Sequence, residues 1–204
     1  MSDLSNKLTI TIIGRSGCGK GTQAKFIVKR LKSLGVKCLE TGKFLRNILK
    51  KDNPTVEIAK RIMERGELIP SWLAAYTWLK NLIEKGSASY NIVFDGSPRK
   101  VWEAELLDEV IGWHSRHLPI CIYLDVSREE TYNRLMARKR ADDNPEAISR
   151  RLDYFEVDVL PTVAYYQSKD RIIVINGEQS PKKVWKEIDE KLAQKLGEAW
   201  PVKS

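Results

Sequence analysis

Apolar residues along the chain follow two alternating rhythms. Continuous, largely β-branched runs occupy residues 8–13, 36–40, 92–94, 120–126 and 172–175. Runs of this length read as strands buried on both faces. Between them, apolar residues return every three or four positions, as on one side of a helix. Ala24, Ile27, Val28, Leu31 and Leu34 make the first such face, stopped by Gly35. Thr41 is placed to cap a helix bearing Leu45, Ile48 and Leu49, and Asn53-Pro54 starts another with Val56, Ala59, Ile62 and Met63, ended by Arg65-Gly66. Ser71 opens a longer helix with Ala75, Trp78, Leu79, Leu82 and Ile83 inward, closed by Gly86. Leu106, Leu107, Val110 and Ile111 define the next. Ser127 with Glu130 forms a capping box ahead of Tyr132, Leu135 and Met136. Pro145 starts a helix carrying Ile148, Leu152, Phe155 and Val159, which Pro161 kinks or ends, and Ser180-Pro181 starts the last, with Val184, Ile188 and Leu192 inward.

Five apolar strands separated by helices predict an α/β fold, a parallel sheet with helices on both faces. Ligands of such sheets bind beyond the carboxyl ends of the strands. Residues 14–20, Thr41 and 95–99 all follow strand ends, so they should meet in one cleft. The short helices between 41 and 66 break the strand–helix alternation and read as an insert on the rim. No internal repeat or long linker divides the chain, so residues 1–204 are expected to form one domain.

Composition narrows the partners. The chain has 204 residues, a net charge of +8 and three scattered cysteines, Cys18, Cys38 and Cys121. That spacing supports neither a disulfide framework nor a Cys-rich zinc site and fits a cytoplasmic protein. No apolar run approaches the ~18 residues of a membrane span, so no membrane role is expected. The lysines are dispersed along helices rather than grouped, and nucleic acid is not an expected partner. His114 and His117 have no carboxylate or Cys at ligand spacing and read as surface residues. Trp72, Tyr76 and Trp78 read as core and rim packing rather than a base-stacking platform.

The candidate chemistry begins at 14–22, Gly-Arg-Ser-Gly-Cys-Gly-Lys-Gly-Thr. Glycines let backbone N–H groups crowd onto phosphate oxygens, and the following helix N-terminus adds its dipole. Gly14, Ser16, Gly17, Cys18, Gly19, Lys20, Gly21 and Thr22 are therefore the candidate triphosphate site, with Lys20 a point charge for the β- and γ-phosphates. Gly21 stands where the general motif has Ser or Thr, and the hydroxyl comes one place later. Asp95 ends a strand, a position from which a carboxylate reaches Mg²⁺. Arg46, Arg99, Arg138, Arg140 and Arg151 lie near predicted strand ends or loop edges, where guanidinium forks can clamp phosphoryl oxygens. The set points to phosphoryl transfer.

With these residues in place the chain resembles the adenylate kinase family of nucleoside monophosphate kinases. The matching stretches are Gly14–Thr22 with Gln23, Thr41-Gly42 with Arg46, Gly66-Glu67-Leu68-Ile69-Pro70, Asp95-Gly96-Ser97-Pro98-Arg99, Arg138 to Asp143, Arg151 and Asn176-Gly177. They run in family order over nearly the whole chain. The resemblance implies a P-loop NTPase-type three-layer sandwich with strand order 2-3-1-4-5, a monophosphate-binding insert at 41–70 and a short lid without zinc at 137–143. It implies reversible, Mg²⁺-dependent transfer between ATP and AMP, giving two ADP, by a protein expected to be a monomer. The loop, Lys20 and Arg138 would bind ATP. Thr41, Gly42, Arg46, Leu68, Ile69, Pro70, Asp95, Gly96, Arg99, Glu103, Arg140 and Arg151 would surround AMP. Lys20, Arg99, Arg138, Arg140 and Arg151 would act in catalysis, Asp95 would meet Mg²⁺ through water, and Asp142 and Asp143 would anchor the lid.

Four residues depart from the family's pattern. Ser16 stands where the loop commonly has Pro, Lys43 where an acid is frequent, and Ser97 where an aromatic is usual. Glu103 replaces a Gln that reads adenine. Two other readings therefore stay open: a kinase for CMP, UMP or GMP, and a non-catalytic nucleotide-binding or RNA-associated protein. Thr41 speaks for adenine, and a carboxylate at 103, which only accepts hydrogen bonds, speaks against it unless it turns to solvent or to a cation.

Overall fold

The computed structural model describes residues 6–84, 89–138 and 144–201. Its sheet has five strands, all parallel: β1 (Thr9–Ile13), β2 (Val36–Glu40), β3 (Asn91–Asp95), β4 (Ile120–Asp125) and β5 (Ile172–Asn176). Their order is β2-β3-β1-β4-β5, the order that the resemblance implied. Register sets Ile12 and Glu40 beside Asp95, and Leu124 beside Ile175. The segments that follow all five strands consequently emerge along one edge.

Alternation along the strands divides the core between two helix layers. Ile10, Ile12, Val93, Ile122, Leu124, Ile173 and Ile175 face α1 (Lys20–Arg30) and α9 (Pro181–Leu196), which contribute Ala24, Ile27, Val184, Ile188 and Leu192. On the opposite face, Ile92 and Phe94 pack with Trp78 and Leu82 of α4 (Ser71–Glu84) and with Leu107 and Ile111 of α5 (Val101–Trp113). Ile13, Cys121 and Tyr123 pack there against Phe155, Val159 and Tyr166. Burial of these apolar surfaces, at about 25 cal/mol per Å², is the main force that clamps helices to sheet. At the end of the sheet away from the cleft, buried Arg116 donates to the carbonyls of Tyr90 and Leu8 at 2.9 Å each, tying the start of β3 to β1.

The remaining helices are α2 (Thr41–Ile48), α3 (Pro54–Glu64), α6 (Arg128–Arg138), α7 (Pro145–Tyr154) and α8 (Leu160–Ser168). Asn53 caps as read, its Oδ1 accepting from Val56 N, but only half of the expected box at Ser127 forms: Ser127 Oγ accepts from Glu130 N, while the Ser127 N–H donates to Glu178 Oε1 at 2.9 Å. Thr41 does not act as a cap; it is the first helical residue, and its hydroxyl instead meets Ser97 Oγ at 2.6 Å. The helix expected from Pro145 divides into α7, a π turn at Phe155–Val159 and α8. Pro161 supplies no N–H to the carbonyl four residues back, and the ladder slips to wider spacing ahead of it. Trp78 is core as expected, but Trp72 and Tyr76 are exposed, as is Ile83 at 75%. Gly86, expected to close α4, lies outside the described residues. Among the described residues no helix is long and apolar enough to cross a membrane.

Candidate active site

The phosphate loop leaves β1 at Gly14, whose φ of +152° suits glycine alone; a Cβ there would stand 2.7 Å from both Cys18 Sγ and the Leu124 carbonyl. Gly19, left-handed at φ 102°, is the N-cap of α1, so the helix starts with no side-chain cap and its first N–H groups remain for a ligand. Lys20 Nζ donates to the carbonyls of Gly14 at 2.7 Å and Arg15 at 2.8 Å, with Cys18 Sγ 3.6 Å away. Cys18 itself is buried beneath the loop.

Beside the loop opens a cleft of about 710 Å³. Ser16, Gly17, Gly19, Lys20, Gly21 and Thr22 form one wall; Gly42, Arg46, Gly66 and Ile69 form another; Asp95, Gly96 and Arg99 lie on the floor; and Arg138 and Arg151 close the far side. Thus five elements deliver Lys20 and four of the five candidate arginines to one space. Arg46 and Arg151 come from within α2 and α7, not from strand ends or loop edges as expected. Arg140, Asp142 and Asp143 lie outside the described residues, as does most of the expected lid at 137–143.

Arg99 is aimed by its own turn: its Nε donates to the Gly96 carbonyl at 2.8 Å and its Nη1 to Tyr154 Oη at 3.4 Å. Asp95 stands close to the loop, for a Cβ on Gly21 would lie 3.1 Å from Asp95 Oδ2. The missing hydroxyl at position 21 therefore leaves room for the carboxylate. One carboxylate completed by water and phosphate oxygens is a donor set that suits Mg²⁺. Among the described residues no group of three or more His, Cys, Asp and Glu could hold a metal by itself.

Thr41, Leu68, Ile69 and Glu103 meet at a small recess of about 10 Å³, and of these Ile69 alone also lines the main cleft, while Pro70 sits at the start of α4, its carbonyl accepting from Leu73 N and Ala74 N. Glu103 is not in solvent, being 1% exposed, and the Arg99 guanidinium is a neighbouring cation that favours its charged form. Its Oε2 accepts from the Arg99 amide at 2.8 Å and its Oε1 from Trp78 Nε1 at 3.3 Å. Burial pushes its pKa up, and the Arg99 amide, Ser97, the Arg99 charge and the Trp78 indole offset this in part. The position at the foot of α5 explains the departure: a carboxylate satisfies two buried N–H donors at the exit of β3, where an amide would satisfy one through its oxygen.

Arg134 and Tyr154 also line the cleft and were not singled out from sequence. Arg134 is anchored by Glu130 at 2.7 Å and the Gly177 carbonyl at 3.1 Å. Its spacing of four from Arg138 on one helix was the available signal.

Residues 12–171 match a protein-family model described as adenylate kinase. The chain belongs to the adenylate kinase family. It is 31% identical over 179 residues to adenylate kinase 1 of Nostoc, covering 88% of this chain and 95% of that one. With the adenylate kinase of Thermus thermophilus it shares 32% identity over 183 residues, 88% of this chain and 94% of the relative. It also matches adenylate kinase isoenzyme 5 of Bos taurus at 34% over 189 residues, where 91% of this chain spans 32% of a longer protein. Membership in this family makes the protein a phosphotransferase acting on nucleotides, and the non-catalytic alternative is not favoured.

Proposed function

We propose that the protein transfers the γ-phosphoryl group of Mg·ATP reversibly to AMP, giving two ADP. The observation that carries this reading is the convergence of Lys20, Arg46, Arg99, Arg138 and Arg151 on one cleft with Asp95 at its floor. The loop and Lys20 bind the ATP phosphates; Arg46 and Arg99 bind the AMP phosphate; Arg138 and Arg151, with Arg140, engage the transferring group. The attacking AMP oxygen is already anionic, so no general base is needed, and the chain's residues contribute in-line positioning and charge stabilisation. Asp95 would hold Mg²⁺ through water, and the metal would neutralise charge on the polyphosphate. Residues 41–70 act as the monophosphate-binding insert and 137–143 as a lid that excludes water.

Glu103, occupied within the fold, does not speak against adenine. Its oxygens are engaged by Arg99 N and Trp78 Nε1, which leaves base reading to Thr41 and the backbone near 68–70. We place the protein in the cytoplasm as a monomer, acting without nucleic acid. Incubation with Mg·ADP alone tests the reading: ATP and AMP should appear in equal amounts, an outcome that a simple ATPase or a kinase for a different acceptor does not produce. Failure to form AMP from ADP would contradict it.

A further inference from the structure

Arg15 sits inside the glycine loop, yet its side chain leaves the cleft for the body of the protein. Its Nη1 donates to the Val126 carbonyl at 2.9 Å and its Nη2 to Glu156 Oε1 at 2.5 Å. The guanidinium lies 4.3 Å from the centroid of the Phe155 ring and close to the Tyr123 hydroxyl, whose pKa its charge lowers against the upward push of burial. Phe155 is fully buried and Arg15's side chain is 15% exposed, so this is a seated group and not a solvated charge. The same residue's carbonyl accepts the 2.8 Å bond from Lys20 Nζ. One residue thus joins the π turn to the loop lysine. The π turn continues directly from α7, which carries Arg151 and Tyr154 into the cleft.

We propose that Arg15 is a positioning residue that fixes the phosphate loop against the π turn and so sets where Lys20 stands relative to Arg151. The proposal rests on the reading of residues 14–22 as the ATP phosphate site. A loop that is already held loses less conformational freedom when the triphosphate binds. Releasing Arg15 should therefore weaken ATP binding selectively. A pin that served stability alone would lower the unfolding temperature without separating ATP from AMP.

Calorimetric titration of the full chain with Mg·ATP, and separately with AMP, distinguishes these. Arg15→Ala should weaken Mg·ATP roughly tenfold and Glu156→Ala roughly threefold, with AMP affinity within about twofold in both. Glu156 is 45% exposed, so its variant folds and decides the matter even if Arg15→Ala does not. Folded variants that bind Mg·ATP as the wild type does, or that lose ATP and AMP in equal proportion, would overturn the proposal. A wild-type protein that binds no Mg·ATP would instead refute the phosphate-site reading, and this proposal with it.

Discussion

Glu103 carries the most consequential departure from the family's pattern, and its chemistry follows from burial. The sequence showed that a carboxylate replaces an amide; it could not show that Arg99 N and Trp78 Nε1 both point at it, because those donors lie four and 25 residues away and converge only through packing. An acid whose pKa is raised by folding is held most stably when protonated. Its contribution to stability is therefore greatest below the unfolded value near 4.3 and declines as pH rises through the higher folded value. Glu103→Gln removes that titration. The unfolding temperature of the Gln variant relative to wild type should rise between pH 5 and pH 8. A difference that stays constant over this range would mean that Glu103 does not titrate in the folded protein there. The phosphate loop, by contrast, was legible residue by residue, since its chemistry is local: glycines, a lysine and the start of a helix are adjacent in the chain.

At the level of elements, strands and most helices were legible because their periods are short-range. The division of α7 from α8 was not: Pro161 marks a break, but whether it ends a helix or shifts its ladder depends on what packs on either side. Here Phe155 and Val159 are both drawn into the core beside Tyr123 and Tyr166, which keeps the chain helical through the π turn. The contact between the turn that follows α3 and α7 was likewise invisible. Gly66, φ +73°, follows α3 with its Cα side against α7, and a Cβ would lie 2.5 Å from the Ala147 carbonyl. Arg150 Nη1 also reaches the Arg65 carbonyl at 3.1 Å across the same seam. Gly66→Ala is expected to cost about 2–3 kcal/mol in urea unfolding, from the strained φ and the displaced helix. Because this seam borders the AMP wall, the KM for AMP should rise severalfold while that for ATP stays nearly constant. An Ala variant as stable as wild type would show that the seam yields without cost.

For the whole molecule, periodicity established a parallel α/β sheet with its ligands at one edge but not the strand order, which the resemblance supplied and the ladder shows. Order depends on long-range pairing, and nothing in an isolated apolar run names its neighbour. The same holds for the cleft. Lys20, Arg46, Arg99, Arg138 and Arg151 span most of the chain, and the sheet gathers them by ending its strands together. This gathering serves phosphoryl transfer to AMP. Its most direct test is kcat/KM for phosphoryl transfer from Mg·ATP to AMP, GMP, CMP and UMP in turn, with Lys20→Met alongside. AMP should be the best acceptor, and Lys20→Met should lose roughly 10²-fold or more with it, because a fixed charge at the γ-phosphoryl is gone. Preference for GMP or CMP, or a Lys20→Met protein within threefold of wild type, would contradict the account.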